Sequence, residues 1–184
     1  MKYTRQIIPD LILIEPNLHG DDRGYFAETF RVDFFKNTLG VDINFIQDNE
    51  SKSTKGVLRG LHYQIPPFGQ SKLLKVNEGK ILDIAVDIRK SSSTFGQHVA
   101  VELSSDNMHQ LYIPCGFAHG FLVLSETAQI NYKVDNYYKP EYERGIAFND
   151  PKLSIDWPFP FEKMQLSKKD RLQPSLHESI DLYD

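Results

Sequence analysis

Residues 81–88 read Ile-Leu-Asp-Ile-Ala-Val-Asp-Ile and carry the clearest strand pattern in the chain. The aliphatic residues at positions 82, 84, 86 and 88 would share one face of a strand. Asp83 and Asp87 would then fall on the opposite face, which the pattern predicts to be polar. Lining a cavity is one possible place for these two aspartates, but the sequence assigns them no role.

The segments on either side of this strand predict an all-β fold. Gly and Pro punctuate the chain at short intervals, and short strands with few helices are typical of a sandwich or a barrel. The one clear helical stretch is 32–39, with Gly40 as its stop signal. The further predicted strands or extended segments are 11–15, 25–30, 43–50, 57–64, 71–77, 98–103, 109–113, 119–124 and 127–135.

The composition is that of an ordinary globular protein. The chain has 184 residues, 40% of them hydrophobic and 25% charged, so we expect one domain over 1–184. Residues 150–184 are expected to wrap around its outside, because the prolines in 157–161 (WPFPF) interrupt strand pairing.

Charge and cysteine content exclude several classes of function. A net charge of −4 and the lack of long basic runs argue against binding to nucleic acid. The single cysteine, Cys115, excludes a disulfide scaffold. The apolar run 11–14 is too short for a signal peptide, and no run is long enough to span a membrane. A soluble cytoplasmic protein is therefore expected.

Polar side chains are concentrated between residues 59 and 72, in two predicted strands and the segment that joins them. They are Arg59, His62, Gln64, Gln70 and Lys72. Burying such groups costs free energy unless they find partners. The segment is therefore either a surface hairpin or the lining of a cavity in which a ligand supplies those partners.

This region and residues 114–119 (PCGFAH) resemble the two metal-binding patterns of cupin-type jelly rolls, with substitutions at the ligand positions. His62 is present in the first pattern, but Gln64 replaces its second histidine and Lys72 its glutamate. His119 completes the second pattern, whereas Val123 replaces its asparagine. Two histidines are too few donors for a catalytic metal, and an ammonium group has no lone pair to give. We therefore expect a cupin-type β-barrel or sandwich with short peripheral helices and without a metal.

A cavity with these side chains suits the abstraction of a proton next to a carbonyl group. Such chemistry needs a base, a donor that holds the enolate oxygen and, for inversion, an acid on the opposite face. His62 is the candidate base, since imidazole titrates near pH ~6.5. Lys72 is the candidate oxyanion stabiliser and Tyr132 the candidate acid. The residues alone do not choose the carboxylate that would orient His62.

Several motifs occur in a fixed order between residues 23 and 170: RGLHYQ (59–64), GFAHGF (116–121), YYKP (137–140) and LSKKD (166–170). Together they resemble the dTDP-4-dehydrorhamnose 3,5-epimerase family. The resemblance implies inversion of two carbons beside the C4 ketone of dTDP-4-dehydro-6-deoxy-D-glucose, without a cofactor. It gives His62 the role of base, Asp170 that of its dyad partner, Lys72 that of enolate stabiliser and Tyr132 that of acid.

The same resemblance implies a set of substrate-binding residues and a homodimer. It places Arg23 and Arg59 on the diphosphate and Tyr138 against the base, and it implies that the segment around Arg23 to Glu28 completes the partner's site. The remaining implied contacts to substrate are Phe26, Glu28, Gln47, Asp48, Asn49, His119, Glu143 and Lys168.

Structural roles compete with these assignments. In the structural alternative, His62 and His119 are hydrogen-bonded core histidines and Tyr132 is a residue that packs between strands. Lys168 is then simply a solvated surface side chain. In an unbroken strand Arg59 and His62 would point to opposite faces. Both reach one ligand only if the strand bulges or ends at Gly60, or if Arg59 serves the partner's site.

Three other functions compete with the double epimerase. They are a mono-epimerase of the same fold, a non-catalytic nucleotide-sugar-binding cupin and a metal-dependent cupin. Retention of an acid and a base argues against the second, and Gln64 and Lys72 argue against the third.

Overall fold

The computed structural model describes residues 1–184 and is built from short strands, which confirms the all-β prediction. The strands are β1 Lys2–Arg5, β2 Ile12–Glu15, β3 His19–Asp21, β4 Gly24–Phe26, β5 Gln47–Thr54, β6 Leu58–Gln64, β7 Lys72–Glu78, β8 Lys80–Asp87, β9 His98–Ser104, β10 Gln110–Ile113, β11 Phe117–Val123, β12 Thr127–Val134 and β13 Glu143–Gly145. None of the helices has the length and hydrophobicity that crossing a lipid bilayer requires.

Helical structure is confined to short segments. Helix α1 covers Val32–Phe34 and continues as a π-helical turn, Phe35–Leu39. Gly40 ends it with a φ of 73°, a left-handed conformation that glycine adopts readily, as the sequence predicts. Helix α2 covers Lys168–Arg171, and 3₁₀ turns lie at Pro140–Tyr142 and Phe161–Lys163.

The strands form two antiparallel sheets that stack as a sandwich and do not close into one barrel. The first sheet has the order β1-β2-β10-β7-β12-β5, and the second has the order β13-β6-β11-β8-β9. A cluster of buried apolar side chains fills the space between them, including Leu74 and Ile130 from the first sheet and Ala85 and Phe121 from the second. Of the two expected architectures, the sandwich is the one observed.

The outer face of each sheet is covered by chain segments that lie outside the sheets. Phe35 and Leu39 of the helical segment pack on Ile12 and Tyr112 of the first sheet. Residues 153–176 contribute apolar side chains, among them Trp157, to the outer face of the second sheet. Strand β8 is thereby buried on both faces.

The prediction of a polar face on residues 81–88 is therefore wrong. Asp83 and Asp87 are both fully buried. Asp87 accepts hydrogen bonds from Arg89, Ser92 and Thr94, whereas Asp83 pairs with His119. A carboxylate is tolerated inside a protein when charged or polar groups meet it there, and alternation along one strand does not reveal such partners.

Two strand boundaries also differ from the prediction. Residues 43–46 are not part of a strand, and β5 begins only at Gln47. Strand β4 ends at Phe26, so the extended segment predicted over 25–30 is only partly a strand. Ile43 instead packs with the cluster beneath the helical segment, where it needs no sheet partner.

Candidate active site

Two adjoining chambers open between the sheets. The first has a volume of about 330 Å³ and is lined by Gln47, Asn49, His62, Tyr63, Gln64, Gln70, Lys72, Tyr132, Tyr138 and Glu143. The second has a volume of about 260 Å³ and is lined by Ser51, Arg59, His62, Lys72, His119, Phe121, Tyr132, Ser167, Lys169 and Asp170. His62, Lys72 and Tyr132 belong to both chambers. The segment 59–72 thus lines a cavity and is not a surface hairpin.

An irregularity at Gly60 brings Arg59 and His62 to the same chamber. In the pairing of β6 with β11, Arg59 lies opposite Phe121 and His62 opposite His119, so β6 contains one extra residue. Gly60 has a φ of 130°, and a Cβ there would lie 2.5 Å from the Gly120 Cα. Only glycine fits this close approach. Of the alternatives that the sequence left open for Arg59 and His62, the bulge is the one observed.

His62 is paired with a carboxylate from the far end of the chain. Its Nε2 lies 2.6 Å from Oδ1 of Asp170, whose side chain is 5% exposed. Ser167 caps α2 by accepting a hydrogen bond from the backbone N–H of Asp170, which holds that residue in place. Burial alone would raise the pKa of Asp170, but the hydrogen bond and charge of His62 lower it below its usual value.

Glu143 places a second carboxylate beside His62. Its Oε1 lies 3.8 Å from Nδ1 of His62, while Oε2 accepts a 2.6 Å hydrogen bond from the Tyr138 hydroxyl and contacts the Lys169 ammonium. Burial opposes ionisation, but the bonds from Lys169 and Tyr138 lower the pKa of Glu143. The carboxylate in turn raises the pKa of Tyr138 to about 12.

Lys72 and Tyr132 face the chambers without hydrogen-bond partners from the chain. Burial lowers the pKa of Lys72 to about 8, and the negative charges of Asp83 and Glu143 oppose this effect. Burial raises the pKa of Tyr132, although the positive charge of Arg59 acts to lower it. The cavity therefore holds a cationic donor that is easily neutralised and a phenol that stays protonated at neutral pH.

His119 lies deeper, at the wall formed by β8. Its Nε2 is 2.9 Å from Oδ2 of Asp83, and its side chain is 9% exposed. Burial lowers the pKa of His119, although the charge and hydrogen bond of Asp83 oppose this effect. A neutral imidazole at this place donates its Nε2 hydrogen to the carboxylate and keeps a lone pair on Nδ1.

Gln64 organises the segment that carries Tyr138. Its buried side-chain amide donates to the carbonyls of Phe68 and Tyr137 and accepts the N–H of Lys139. The Gln47 side chain accepts the N–H of Tyr138. The sequence pointed to Gln64 only as a replaced metal-ligand position, and none of its partners is visible from local spacing.

Five predicted substrate contacts lie outside both chambers. Asp48 points to the other face of β5 and pairs with Lys133 at 3.0 Å, because neighbouring strand residues alternate in direction. Arg23 pairs with Asp21, and the side chain of Arg23 is 89% exposed. Phe26, Glu28 and Lys168 are exposed as well.

At the α2 end of the cavity, Lys169 takes the place expected for Lys168. Lys169 lines the second chamber and contacts Glu143, whereas Lys168 points away. Successive residues of a helix point in different directions, and the cap at Ser167 determines which of the two lysines faces the cavity. The sequence showed two adjacent lysines in LSKKD, but nothing in it indicated which of the two faces the cavity.

Two further features bear on ligands. No group of three or more His, Cys, Asp or Glu side chains is arranged to hold a metal ion. The largest cavity, about 510 Å³, lies on the other side of Glu143 and Lys169 and contains neither His62 nor Lys72. The paired chambers therefore concentrate the acid–base chemistry, although they are smaller.

The chain is similar in sequence to proteins of one enzyme family. The family model described as dTDP-4-dehydrorhamnose 3,5-epimerase matches residues 5–178. The dTDP-4-dehydrorhamnose 3,5-epimerase of Pseudomonas aeruginosa is 52% identical over 171 residues, which are 93% of each chain. That of Escherichia coli K12 is 48% identical over 182 residues, covering 99% of this chain and 98% of the relative.

Solved structures agree with the sequence comparison. The dTDP-6-deoxy-D-glucose-3,5-epimerase of Legionella pneumophila, in complex with dTDP-4-keto-L-rhamnose, is 48% identical with a TM-score of 0.92 and covers 96% of this chain and 93% of its own. A more distant 3'-monoepimerase of Streptomyces bikiniensis, in complex with dTDP-quinovose, is 35% identical with a TM-score of 0.86, covering 92% and 85%. By sequence and by fold, the chain belongs to the dTDP-4-dehydrorhamnose 3,5-epimerase family, and it is an isomerase.

Proposed function

We propose that this chain inverts C3 and C5 of dTDP-4-dehydro-6-deoxy-D-glucose and so produces dTDP-4-dehydro-L-rhamnose. The observation that carries the proposal is that His62, Lys72 and Tyr132 are the only residues common to both chambers. A sugar placed where the chambers meet would contact a base, a cation and an acid at once, and these are the groups that epimerisation beside a ketone requires.

The first step is removal of a proton by His62. With its Nε2 hydrogen donated to Asp170, the lone pair lies on Nδ1, which takes the proton from the carbon next to the C4 ketone. The electron pair of the broken C–H bond forms the enolate double bond, and the carbonyl electrons move onto oxygen. The Asp170 carboxylate stabilises the imidazolium that results.

Lys72 and Tyr132 complete the reaction. The Lys72 ammonium stabilises the enolate oxygen through charge and hydrogen bonding. Tyr132 then donates its phenolic proton to the opposite face of the carbon, which reforms the ketone with inverted stereochemistry. Solvent restores the proton to Tyr132 and removes it from His62, so the same groups can act again at the second carbon.

For the nucleotide, we propose that Tyr138 stacks on the base and that Arg59 contacts the diphosphate. Tyr138 is half-exposed at the mouth of the first chamber, and its backbone is held by Gln47. The guanidinium of Arg59 uses its Nε on Ser53 at 3.1 Å, which leaves its terminal nitrogens for an anion.

The proposed assembly is a homodimer in which one subunit completes the site of the other. The side chains of Arg23, Phe26 and Glu28 lie on an exposed hairpin and its continuation, outside the chambers of their own subunit. Phe26 is 67% exposed and Tyr25 is 60% exposed, and large apolar side chains of this kind are typical of surfaces that a partner covers.

The decisive test is incorporation of solvent deuterium into the 4-keto sugar nucleotide. The proposal expects deuterium at both C3 and C5 with the wild-type protein and none at either carbon with His62→Ala. Deuterium at C3 alone would instead make the chain a mono-epimerase, a function that the similar fold of the Streptomyces bikiniensis enzyme brings into consideration. Wild-type activity retained by His62→Asn would favour a non-catalytic binding role for His62.

A further inference from the structure

Asp83 is a buried carboxylate to which the proposed reaction gives no role. It is fully buried, and its Oδ2 lies 2.9 Å from Nε2 of His119. Its Oδ1 has no hydrogen-bond partner. An unpaired oxygen of a buried carboxylate costs free energy, so a structural role alone accounts poorly for it. Asp87, four residues along the same strand, has both oxygens bonded.

The negative charge of Asp83 acts on Lys72 from the facing sheet. Burial lowers the pKa of Lys72 to about 8, and Asp83 is the largest of the influences that oppose this fall, ahead of Glu143. The other ionisable groups around the chambers are Arg59, His62 and Tyr63 of β6, Cys115 before β11, His119 of β11, Tyr132 of β12, Tyr138, and Lys169 and Asp170 of α2.

Asp83 also sets the orientation of His119. The ring lines the second chamber, and its Nε2 is directed to the carboxylate. Because burial lowers the pKa of His119, the neutral ring donates Nε2–H to Asp83 and presents Nδ1 as an acceptor. A hydroxyl group of the sugar is the class of partner that such an acceptor would bind.

We propose that Asp83 is a positioning residue of the active site, whose buried carboxylate fixes the His119 imidazole and supplies the negative charge that keeps Lys72 an ammonium ion. This inference rests on the proposed function, because it assigns the Lys72 charge to enolate stabilisation. Asp83 does not need to touch the substrate for this role, since its effect passes through the two side chains that line the second chamber.

The test compares Asp83→Asn with the matched variant Asp87→Asn across pH. The measurement is kcat/KM for deuterium exchange between pH 6 and 10, whose alkaline limb reports a group that must be protonated in the free enzyme. In the wild-type protein this limb is expected near pH 8, the pKa of Lys72. Asp83→Asn should move the limb to lower pH by about one unit or more, since a nearby opposite charge has been removed.

Asp87→Asn removes an equally buried carboxylate that faces Arg89 and not the chambers. It should lower the melting temperature and leave the alkaline limb in place. An unmoved limb in Asp83→Asn, or an equal displacement in both variants, would overturn the inference. Absence of any exchange in the wild-type protein would instead overturn the proposed function, so the two failures are distinguishable.

A third variant covers the case in which Asp83→Asn does not fold. Asp83→Glu retains the charge and shifts its position by one methylene, so the alkaline limb should stay close to the wild-type value while kcat falls with the displaced His119. A limb that moves to lower pH in Asp83→Glu despite the retained carboxylate would contradict the inference. Direct titration of ¹⁵N-labelled Lys72 by NMR gives the same comparison without turnover.

Discussion

At the scale of single residues, the candidate catalytic groups of the cavity differ in how the protein holds them. His62 is fixed by its 2.6 Å bond to Asp170, so its orientation depends on one neighbour. Lys72 and Tyr132 have no such neighbour, and their protonation depends on burial and on charges at longer range. Substitution of Asp170 should therefore disturb the orientation of His62. Substitutions that change the charges near Lys72 and Tyr132 should instead affect proton transfer.

Asp170→Asn is expected to lower kcat for exchange at both carbons by about 10²- to 10⁴-fold, because the base loses its orientation and the imidazolium its counter-charge. KM should change little, since binding groups remain. Steady-state exchange kinetics give both constants. The exposed Asp106 provides a matched control, as Asp106→Asn should be indistinguishable from wild type. A kcat within about threefold of wild type would remove Asp170 from the dyad.

Tyr132→Phe is expected to separate proton removal from inversion. The base still acts, so deuterium enters the substrate from the side of His62, but the acid on the opposite face is lost. NMR should therefore show labelled substrate of unchanged configuration and at least about tenfold less inverted product. Tyr137→Phe, at an exposed tyrosine, is the control. Full inversion at the wild-type rate in Tyr132→Phe would mean that the acid lies elsewhere.

At the scale of elements, β6 and its neighbours determine which side chains line the two chambers. The extra residue at Gly60 turns Arg59 toward the side of His62. At the end of the strand, the side chain of Gln64 joins β6 to residues 137–139 through hydrogen bonds. The side chain at the position of a lost metal ligand thus secures the loop that carries Tyr138. A polar residue placed inside the fold is satisfied here by three backbone groups.

Gln64→Leu keeps the side-chain volume and removes those three bonds, so the Tyr138 segment should loosen. We expect KM to rise by about tenfold or more, with a smaller change in kcat, since each of the three hydrogen bonds contributes about 1 kcal/mol and about 1.4 kcal/mol corresponds to a factor of ten. The readout is KM alone and in a Tyr138→Ala background, where Gln64→Leu should add little. Additive effects in the double variant would show that Gln64 acts independently of Tyr138.

Strand β8 carries a pH dependence of stability through Asp87. Burial would raise the pKa of Asp87, but its bonds to Arg89, Ser92 and Thr94 lower it to about 2. A carboxyl group whose pKa is lowered on folding stabilises the protein at pH values above its pKa in the unfolded chain, which is near 3.9. This contribution is lost as the pH falls toward 2. Its size is about 2 kcal/mol. Urea unfolding at pH 7, 4 and 3 should show a shallower acid loss in Asp87→Asn; an equally steep loss would contradict this assignment.

At the scale of the whole molecule, the sandwich leaves the predicted nucleotide contacts of the hairpin outside its own chambers. If the partner subunit's chambers receive them, two differently inactivated chains should complement each other. Mixing His62→Asn with Arg23→Ala and allowing subunits to exchange should restore activity at about a quarter of the sites. Light scattering should show a dimer throughout. No recovery after demonstrated exchange would mean that Arg23 acts on its own subunit or not at all.

Features that depend on a few neighbouring residues could be predicted from the amino-acid sequence. Short alternating segments predicted an all-β sandwich or barrel, and Gly40 marked a helix end through a conformation that glycine readily adopts. Gly60 offered a bulge as one of several alternatives. His62 and Lys72 became candidate catalytic residues because they lie in a cupin metal-binding pattern in which two of the metal ligands are replaced. The fold predictions hold because strand patterns and backbone sterics act locally, whereas the roles of His62 and Lys72 stay predictions.

Which charges are buried, and most of the groups that they contact, follow only from the three-dimensional arrangement of the chain. The partner of His62 lies 108 residues away and came from family resemblance, not from spacing. Lys169 faces the cavity because of a helix cap, and Gln64 is bonded to a loop more than 70 residues distant. Asp83 and Asp87 look alike in the sequence, yet Asp83 pairs with His119, which lines the second chamber, and Asp87 pairs with Arg89. Burial of a charge depends on groups brought from other strands, and no pattern within one strand contains that information.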